Sequence, residues 1–304
     1  MVRILFLLVF VFYVFESQAS EDSSVEPALT FKDVFVKAPV SAKDGLRRSF
    51  SRESIPVWAG ILSSTAILYQ YDEDILLSTQ AQGRRWGLTN KDNTKTFVKL
   101  GAYDIFRLPT DGASTLYFLG DGWLHVWIAG GFVGAGKLSH NTRAVNTGYE
   151  LLNGMIVSTV FSQALKHAFG RQSPNQSSEE RGKWRPFPSI PAYNSRTAEY
   201  DAMPSGHIMT ATLTFTVIRG NFPEYDNLLL PLEVVWLSAL GFGMVNNGVH
   251  WVSDYPLGIA MGYVFGKASL DLAHPKDEFE KPSRSTFFPG VDQGVATANW
   301  RYEF

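Results

Sequence analysis

Asn146 to Gly170 reads NTGYELLNGMIVSTVFSQALKHAFG. Apolar residues recur through it at helical spacing, and the stretch predicts one long helix that ends near Gly170. Lys166 and Arg171 place two cations near the end of that helix, where the peptide dipole favours positive charge in any case. On these residues alone a helix-end charge cluster and a ligand site are equally good readings.

The helical pattern extends to both sides. Upstream, VWAGILSSTAILYQYDEDILLSTQAQ (57–82) predicts one or two helices, TKTFVKLGAYDIFRLPTDG (94–112) a helix and turn, and STLYFLGDGWLHVWIAGGFVGAGK (114–137) more helix. Downstream, residues 171–203 contain Pro174, Pro186, Pro188 and Pro191 among several Ser and Asn, which predicts a long loop. Loops of that length inside a compact domain are uncommon and often functional. Helical pattern returns in HIMTATLTFTVI (207–218), in LLLPLEVVWLSALGFGMV (228–245) and onward to Phe265. The organisation expected is a signal segment at 1–19, an extended arm at 20–55, a helical domain at 56–273 and an irregular tail at 274–304. The last residues of that tail, VATANWRYEF, alternate weakly and can form a terminal strand.

The chain has 304 residues, 45% of them hydrophobic, enough for a sizeable core. A formal net charge of −2 gives no global field to attract nucleic acid. Cysteine is absent, which excludes disulfides, thiolate metal sites and a thiol nucleophile. The N-terminus has Arg3, an apolar run from Ile4 to Phe15, and Ser17-Gln18-Ala19 where a signal peptidase needs small residues. That run is too short to span a bilayer and reads as a cleaved secretory signal, with an uncleaved N-terminal anchor as the alternative, so the protein is expected to be exported, periplasmic or secreted. Asp121, His125, Glu150, Lys166 and Glu233 interrupt the apolar helices, and mean hydropathy is −0.05. Buried helices of a globular domain are therefore expected rather than spans, with peripheral membrane contact at most.

Two shorter stretches carry chemistry-bearing residues. In DAMPSGHIMT (201–210), Pro204 marks a boundary, Ser205 can cap the following helix, and Gly206 permits close backbone approach. N–H groups at such a helix start can hold an anion, with His207 in the first turn beside it. An ordinary capped helix with an incidental histidine fits the same residues. In NNGVHWVSDYPLG (246–258), His250 and Asp254 stand one helical turn apart, so on a helix they share a face. That spacing suits a carboxylate orienting a catalytic imidazole and equally a core histidine satisfied by a nearby acid.

Taken in order, the three stretches resemble the signature of the PAP2 superfamily, which reads K-x6-R-P, then P-S-G-H, then S-R-x5-H-x3-D. Lys166 and Pro174 match the first part, Pro204, Ser205, Gly206 and His207 the second, and His250 and Asp254 the third. The resemblance implies an all-α, PAP2-type helical bundle. It also implies a phosphatase in which His250 attacks phosphorus and Asp254 fixes its tautomer. His207 would then serve as acid and base, and Lys166 with the Ser205–Gly206 backbone would hold the phosphoryl oxygens. Neither a metal nor another cofactor is implied.

Both arginines of the signature are missing. Ser173 stands before Pro174, Met244 stands six residues before His250, and Gly243 occupies the position of the signature serine. Arg171, Arg181, Arg185 and Arg196 are the cations nearest in sequence to fill the gap. Three readings follow: a cation moves in, the substrate differs, or the protein binds an anionic group without turnover. The expectation is a phosphatase acting on phosphate monoesters or diphosphates, with a small-molecule or lipid-linked substrate. The alternative is a PAP2-fold binding protein. A vanadate-dependent haloperoxidase is a more distant third, since the missing arginines would impair its anion site still more.

Overall fold

The computed structural model describes residues 28–273 apart from Ala102, with Leu100 and 103–105 as backbone only, and the backbone of 284–292 and 295–303. The signal segment expected at 1–19 lies outside these residues. One compact unit runs to Ala273, and residues from His274 form a second.

The first unit is helical. Its elements are α1 (Phe31–Val36), α2 (Ala38–Ser49), α3 (Ile55–Gln70), α4 (Asp72–Arg85), α5 (Gly112–Phe118), α6 (Gly122–Leu138), α7 (Thr142–Phe169), α8 (Ile190–Ser195), α9 (Gly206–Asn221), α10 (Asp226–Asn246) and α11 (Tyr255–Leu270). Side-chain caps start five of them as the physics of unpaired N–H groups requires: Asp111, Asp121, Asn141, Ser189 and Ser205 each accept from an N–H in the first turn.

The core is built where α7, α9 and α11 meet. Leu151 and Val157 from α7 pack with Met209, Leu213 and Val217 from α9 and with Met261 and Phe265 from α11. Phe161 and Phe265 stack with ring centroids 4.9 Å apart. A row of glycines four residues apart lets α11 approach α9: a Cβ on Gly258 would lie 2.8 Å from the Ser205 carbonyl oxygen, and one on Gly262 would overlap that of Met209. That approach brings the start of α11, and Asp254 before it, up to the Ser205 turn.

The long helix ends as expected. Gly170 adopts the left-handed conformation at φ 58° and returns its N–H to Lys166 at 2.8 Å. A side chain there would overlap the Arg185 carbonyl, because the loop doubles back and Arg185 donates to the Gly170 carbonyl at 2.9 Å. The loop at 171–203 is irregular apart from α8 and two short 3-10 turns.

Four expectations need correction. Residues 94–109 are not a helix but an antiparallel hairpin, β1 (Thr94–Leu100) and β2 (Tyr103–Pro109), turning at Gly101 with φ 61°. Thr, Phe, Val, Tyr and Ile dominate both halves, and a left-handed glycine between them favours a hairpin over a helix.

The arm at 20–55 is helical from Phe31. Its ordering is tertiary: Asn146 accepts from the Leu29 N–H at 2.8 Å, Asn153 donates to the Val34 carbonyl at 2.9 Å, and Gly45 packs against the Phe265 ring.

The tail holds a second antiparallel hairpin, β3 (Arg284–Asp292) and β4 (Val295–Glu303), so it is not irregular there. The weakly alternating last residues form β4 because β3 supplies the partner for its backbone groups.

The apolar helices are not all buried. α3 buries none of its residues, and Leu228, Val234 and Val235 on α10 are each more than half exposed. Among the described residues one segment, Pro223–Asn246, is long and apolar enough to cross a membrane, and only 28% of its apolar window is buried.

Candidate active site

The loop before α9, its first turn, and the segment between α10 and α11 converge on one pocket wall. His250 lies in irregular backbone ahead of a short 3-10 turn at Val252–Asp254, not on a helix as the four-residue spacing suggested. It is 2% exposed. Its Nδ1 sits 2.6 Å from the Ala202 carbonyl oxygen and 3.7 Å from Asp254 Oδ2. A carbonyl accepts only, so the ring proton is on Nδ1 and Nε2 keeps its lone pair. The carbonyl of the residue before Met203-Pro204-Ser205-Gly206 therefore fixes the tautomer, not Asp254 as the resemblance implied.

Asp254 has other partners. Its Oδ2 accepts from the Trp251 N–H at 2.8 Å and its Oδ1 from Arg171 Nη1 at 2.6 Å. At 3.7 Å its charge still favours a positive imidazole.

His207, in the first turn of α9, faces His250 edge-on with ring centroids 5.8 Å apart, and Tyr117 covers its other side at 4.7 Å. Burial pushes His207 well below the ordinary histidine range, and the nearby His250, Lys166, His125 and Arg107 push the same way. It is neutral in the free site. Lys166 is nearly buried and reaches Asp201 Oδ2 at 3.4 Å. A Cβ on Gly206 would lie 3.9 Å from Lys166 Nζ, so this ammonium closes over the glycine. Ser205 caps the turn with its hydroxyl 3.5 Å from the Ile208 N–H, which leaves the Gly206 and His207 N–H groups without an intrahelical acceptor. Cation, N–H pair and two imidazoles thus surround one small space. It suits a phosphoryl group.

Arg171 is not available to that space. It is fully buried, and its five N–H groups are committed. Nη1 donates to Ser253 Oγ at 2.7 Å and to Asp254 at 2.6 Å, Nη2 to Asp72 at 2.7 Å and to the Arg181 carbonyl at 3.0 Å, and Nε to that same carbonyl at 3.4 Å. The expectation that Arg171 binds phosphate is overturned by this saturation. Arg185 and Arg196 both pair with Glu199, and Arg181 lies over the Tyr69 ring at 5.6 Å. Ser173 is 2% exposed with its N–H on the Ala198 carbonyl, and Met244 is sealed among Ile208, Ala211 and Leu240.

Residues 148–277 match the family model of the PAP2 superfamily. Over that stretch the chain is similar to the PAP2 superfamily. The helical bundle is a phosphatase-type fold, and of the signature residues present Lys166, Ser205, Gly206, His207 and His250 lie together. One solved structure similar to it is described as the crystal structure of the first transmembrane PAP2 type phosphatidylglycerolphosphate phosphatase, from Bacillus subtilis. That protein is 15% identical, the match covers 76% of this chain and 100% of the other, and the TM-score is 0.45. No curated protein matches the chain.

Several residues around this space escaped the sequence reading: the Ala202 carbonyl, Asp201, Tyr117, and the Asp72–Ser253 pair behind Arg171. Asp72 opens α4 and accepts from Ser253 Oγ at 2.5 Å and from its N–H at 3.1 Å. The run Asp72-Glu73-Asp74 marks a helix start, but nothing in it points to a partner 99 residues away. Among the described residues no group of three or more His, Asp or Glu side chains is arranged to hold a metal ion.

Proposed function

We propose that the protein is a phosphatase of phosphate monoesters or diphosphates working through a phosphohistidine on His250. The observation that carries this reading is the Nδ1 proton of His250 held by Ala202 at 2.6 Å, which leaves Nε2 as a nucleophile beside His207. In the first step the Nε2–P bond forms while the bond from phosphorus to the leaving oxygen breaks. The leaving oxygen takes a proton from His207, and Lys166 with the α9 N–H groups offsets charge on the phosphoryl oxygens. In the second step His207 accepts a proton from water, the water oxygen bonds to phosphorus, and the P–N bond breaks. Because His207 is neutral in the free site, the proton it donates arrives with a monoanionic ester.

Asp254 supports this chemistry as a charge. Asp72 and Asp254 carry two negative charges against the one positive charge of Arg171, so one net negative charge stands behind the imidazole. That charge favours the positive ring that accompanies attack.

The exposed apolar residues of α10 and α3 favour a lipid-linked ester over a freely soluble one, since that surface would hold the protein at a lipid phase. Export rests on the sequence of residues 1–19 and is tested by a mature N-terminus at Ser20.

The deciding experiment is turnover of an aryl phosphate by the full chain. Wild type hydrolyses it, His250→Ala does not, and His207→Ala accumulates an acid-labile phosphohistidine. Near-normal activity in folded His250→Ala overturns the mechanism. The second reading, binding without turnover, is favoured by the burial of Ser173 and Met244 where the signature has arginines. Inorganic phosphate that binds the wild type while no ester is hydrolysed would establish it.

A further inference from the structure

The pocket is short of positive charge at the positions where the signature supplies it, and the arginine nearest in sequence is locked away. The β1–β2 hairpin carries another. Arg107 on β2 is part-exposed, and among the described residues its guanidinium meets one acceptor, the Asp121 carboxylate. Arg171 has every donor committed; Arg107 keeps most of its own.

Its position follows from the chain around Asp121. Gly120 packs so closely on the catalytic turn that a Cβ there would lie 2.6 Å from His207 Cβ, and Asp121 is the next residue. Tyr117, one turn earlier, contacts the His207 ring at 4.7 Å. A guanidinium docked on Asp121 is thus held at the edge of the pocket, with Lys166 on the Gly206 side. The charge of Arg107 is felt at both His207 and Tyr117. Asp92 is the second carboxylate facing it.

We infer that Arg107 is a phosphate-binding residue of this site, exchanging Asp121 for the phosphoryl oxygens when substrate enters. The inference rests on the phosphatase reading and deepens it. A guanidinium presents two parallel N–H groups to an anion, and a phosphoryl dianion is a stronger acceptor than one carboxylate. The hairpin thus contributes the cation that positions 173 and 244 lack, from a part of the chain outside the signature.

The test uses the full chain, inorganic phosphate titrated by calorimetry, and aryl phosphate kinetics. Arg107→Gln is expected to weaken phosphate binding and lower kcat/KM by roughly ten- to a hundredfold, the usual value of a charge-assisted hydrogen bond. Asp121→Asn can still cap the Trp123 N–H but releases the arginine, so phosphate binding should tighten about threefold or more. In the double variant that gain disappears, because there is no arginine left to release. A gain that persists in the double variant, or Arg107→Gln and Asp121→Asn both weakening binding, overturns the inference. Should Arg107→Gln fail to fold, Asp121→Asn decides alone: unchanged or weaker binding overturns it. Wild type that binds and turns over with Arg107→Gln unaltered removes the role of Arg107 and leaves the phosphatase reading standing. Wild type that neither binds phosphate nor hydrolyses the ester removes both.

Discussion

His250 gives its Nδ1 proton to the Ala202 carbonyl, 2.6 Å away. A backbone acceptor cannot be removed by substituting a side chain, so the tautomer of this histidine survives changes to its carboxylate neighbour. Where a carboxylate alone sets the tautomer, its replacement by an amide costs about 10⁴ in kcat. Here Asp254→Asn is expected to cost on the order of 10–10², through loss of a charge at 3.7 Å. The measurement is kcat on an aryl phosphate, with folding checked by circular dichroism.

Substitutions behind the pocket should act on stability first. Arg171→Met leaves Asp72 and Asp254 buried without their cation, and removing one partner of a buried ion pair costs about 3–5 kcal/mol. Urea unfolding should show that loss. Lys183→Met, which breaks an exposed pair with Glu179, should change stability by less than about 1 kcal/mol.

Restoring the signature arginines should fail. Met244 is fully buried in an apolar cluster, so Met244→Arg places a charge where no partner waits and destabilises by several kcal/mol, on the order of 3 or more. Ser173→Arg meets the same obstacle in a site 2% exposed. Neither variant should raise kcat/KM, and both should melt below wild type in a thermal scan.

Stability should fall between neutral and mildly acid pH. His125 is fully buried, with Nε2 3.0 Å from the Leu119 carbonyl and Nδ1 2.8 Å from the Thr214 hydroxyl, and burial lowers its pKa to about 4. The unfolded chain takes a proton there below about pH 6.5 that the folded chain refuses, so the folded state loses stability as pH falls from about 6.5 to about 4. The full effect is on the order of 3 kcal/mol. Urea midpoints measured across that window should slope, and His125→Gln should flatten the slope.

Turnover should also favour mild acid. His207 is held neutral by burial and by His250, so the donated proton enters with the substrate. The second ionisation of a phosphate monoester lies near pH 6, and kcat/KM should decline above that value. A profile flat from about pH 5 to 8 would contradict this route for the proton.

Much of this architecture was legible in the sequence, and the misses share a cause. Helices α7, α9, α10 and α11 follow from their own residues, because apolar spacing and terminal signals at Gly170 and Ser205 are local, although α7 starts at Thr142, ahead of the Asn146 from which it was read. The β1–β2 hairpin was missed because its apolar residues were matched to the wrong period. The docked helices near the N-terminus were missed because Asn146 and Asn153, more than a hundred residues away, hold them. At the site, Lys166, Ser205, Gly206, His207, His250 and Asp254 were named from the sequence and lie near one another, while their roles belong to the proposed mechanism. Arg171 was misassigned for a physical reason: its charge suggests a ligand, while its neutralisation by Asp72 is a long-range contact no local pattern records.

Asp72 gives the network behind His250 a foothold outside residues 148–277. That foothold limits how far the signature region can be handled as a module. Excised at its family boundaries, it would keep both histidines and Asp254 but lose the α4 carboxylate that shares Arg171. Grafts between relatives should therefore succeed only when the donor of α4 and the donor of the third motif are the same protein. A chimera joined between Arg85 and Gly148 would separate the two halves of one buried ion network, whatever the similarity of its visible active-site residues.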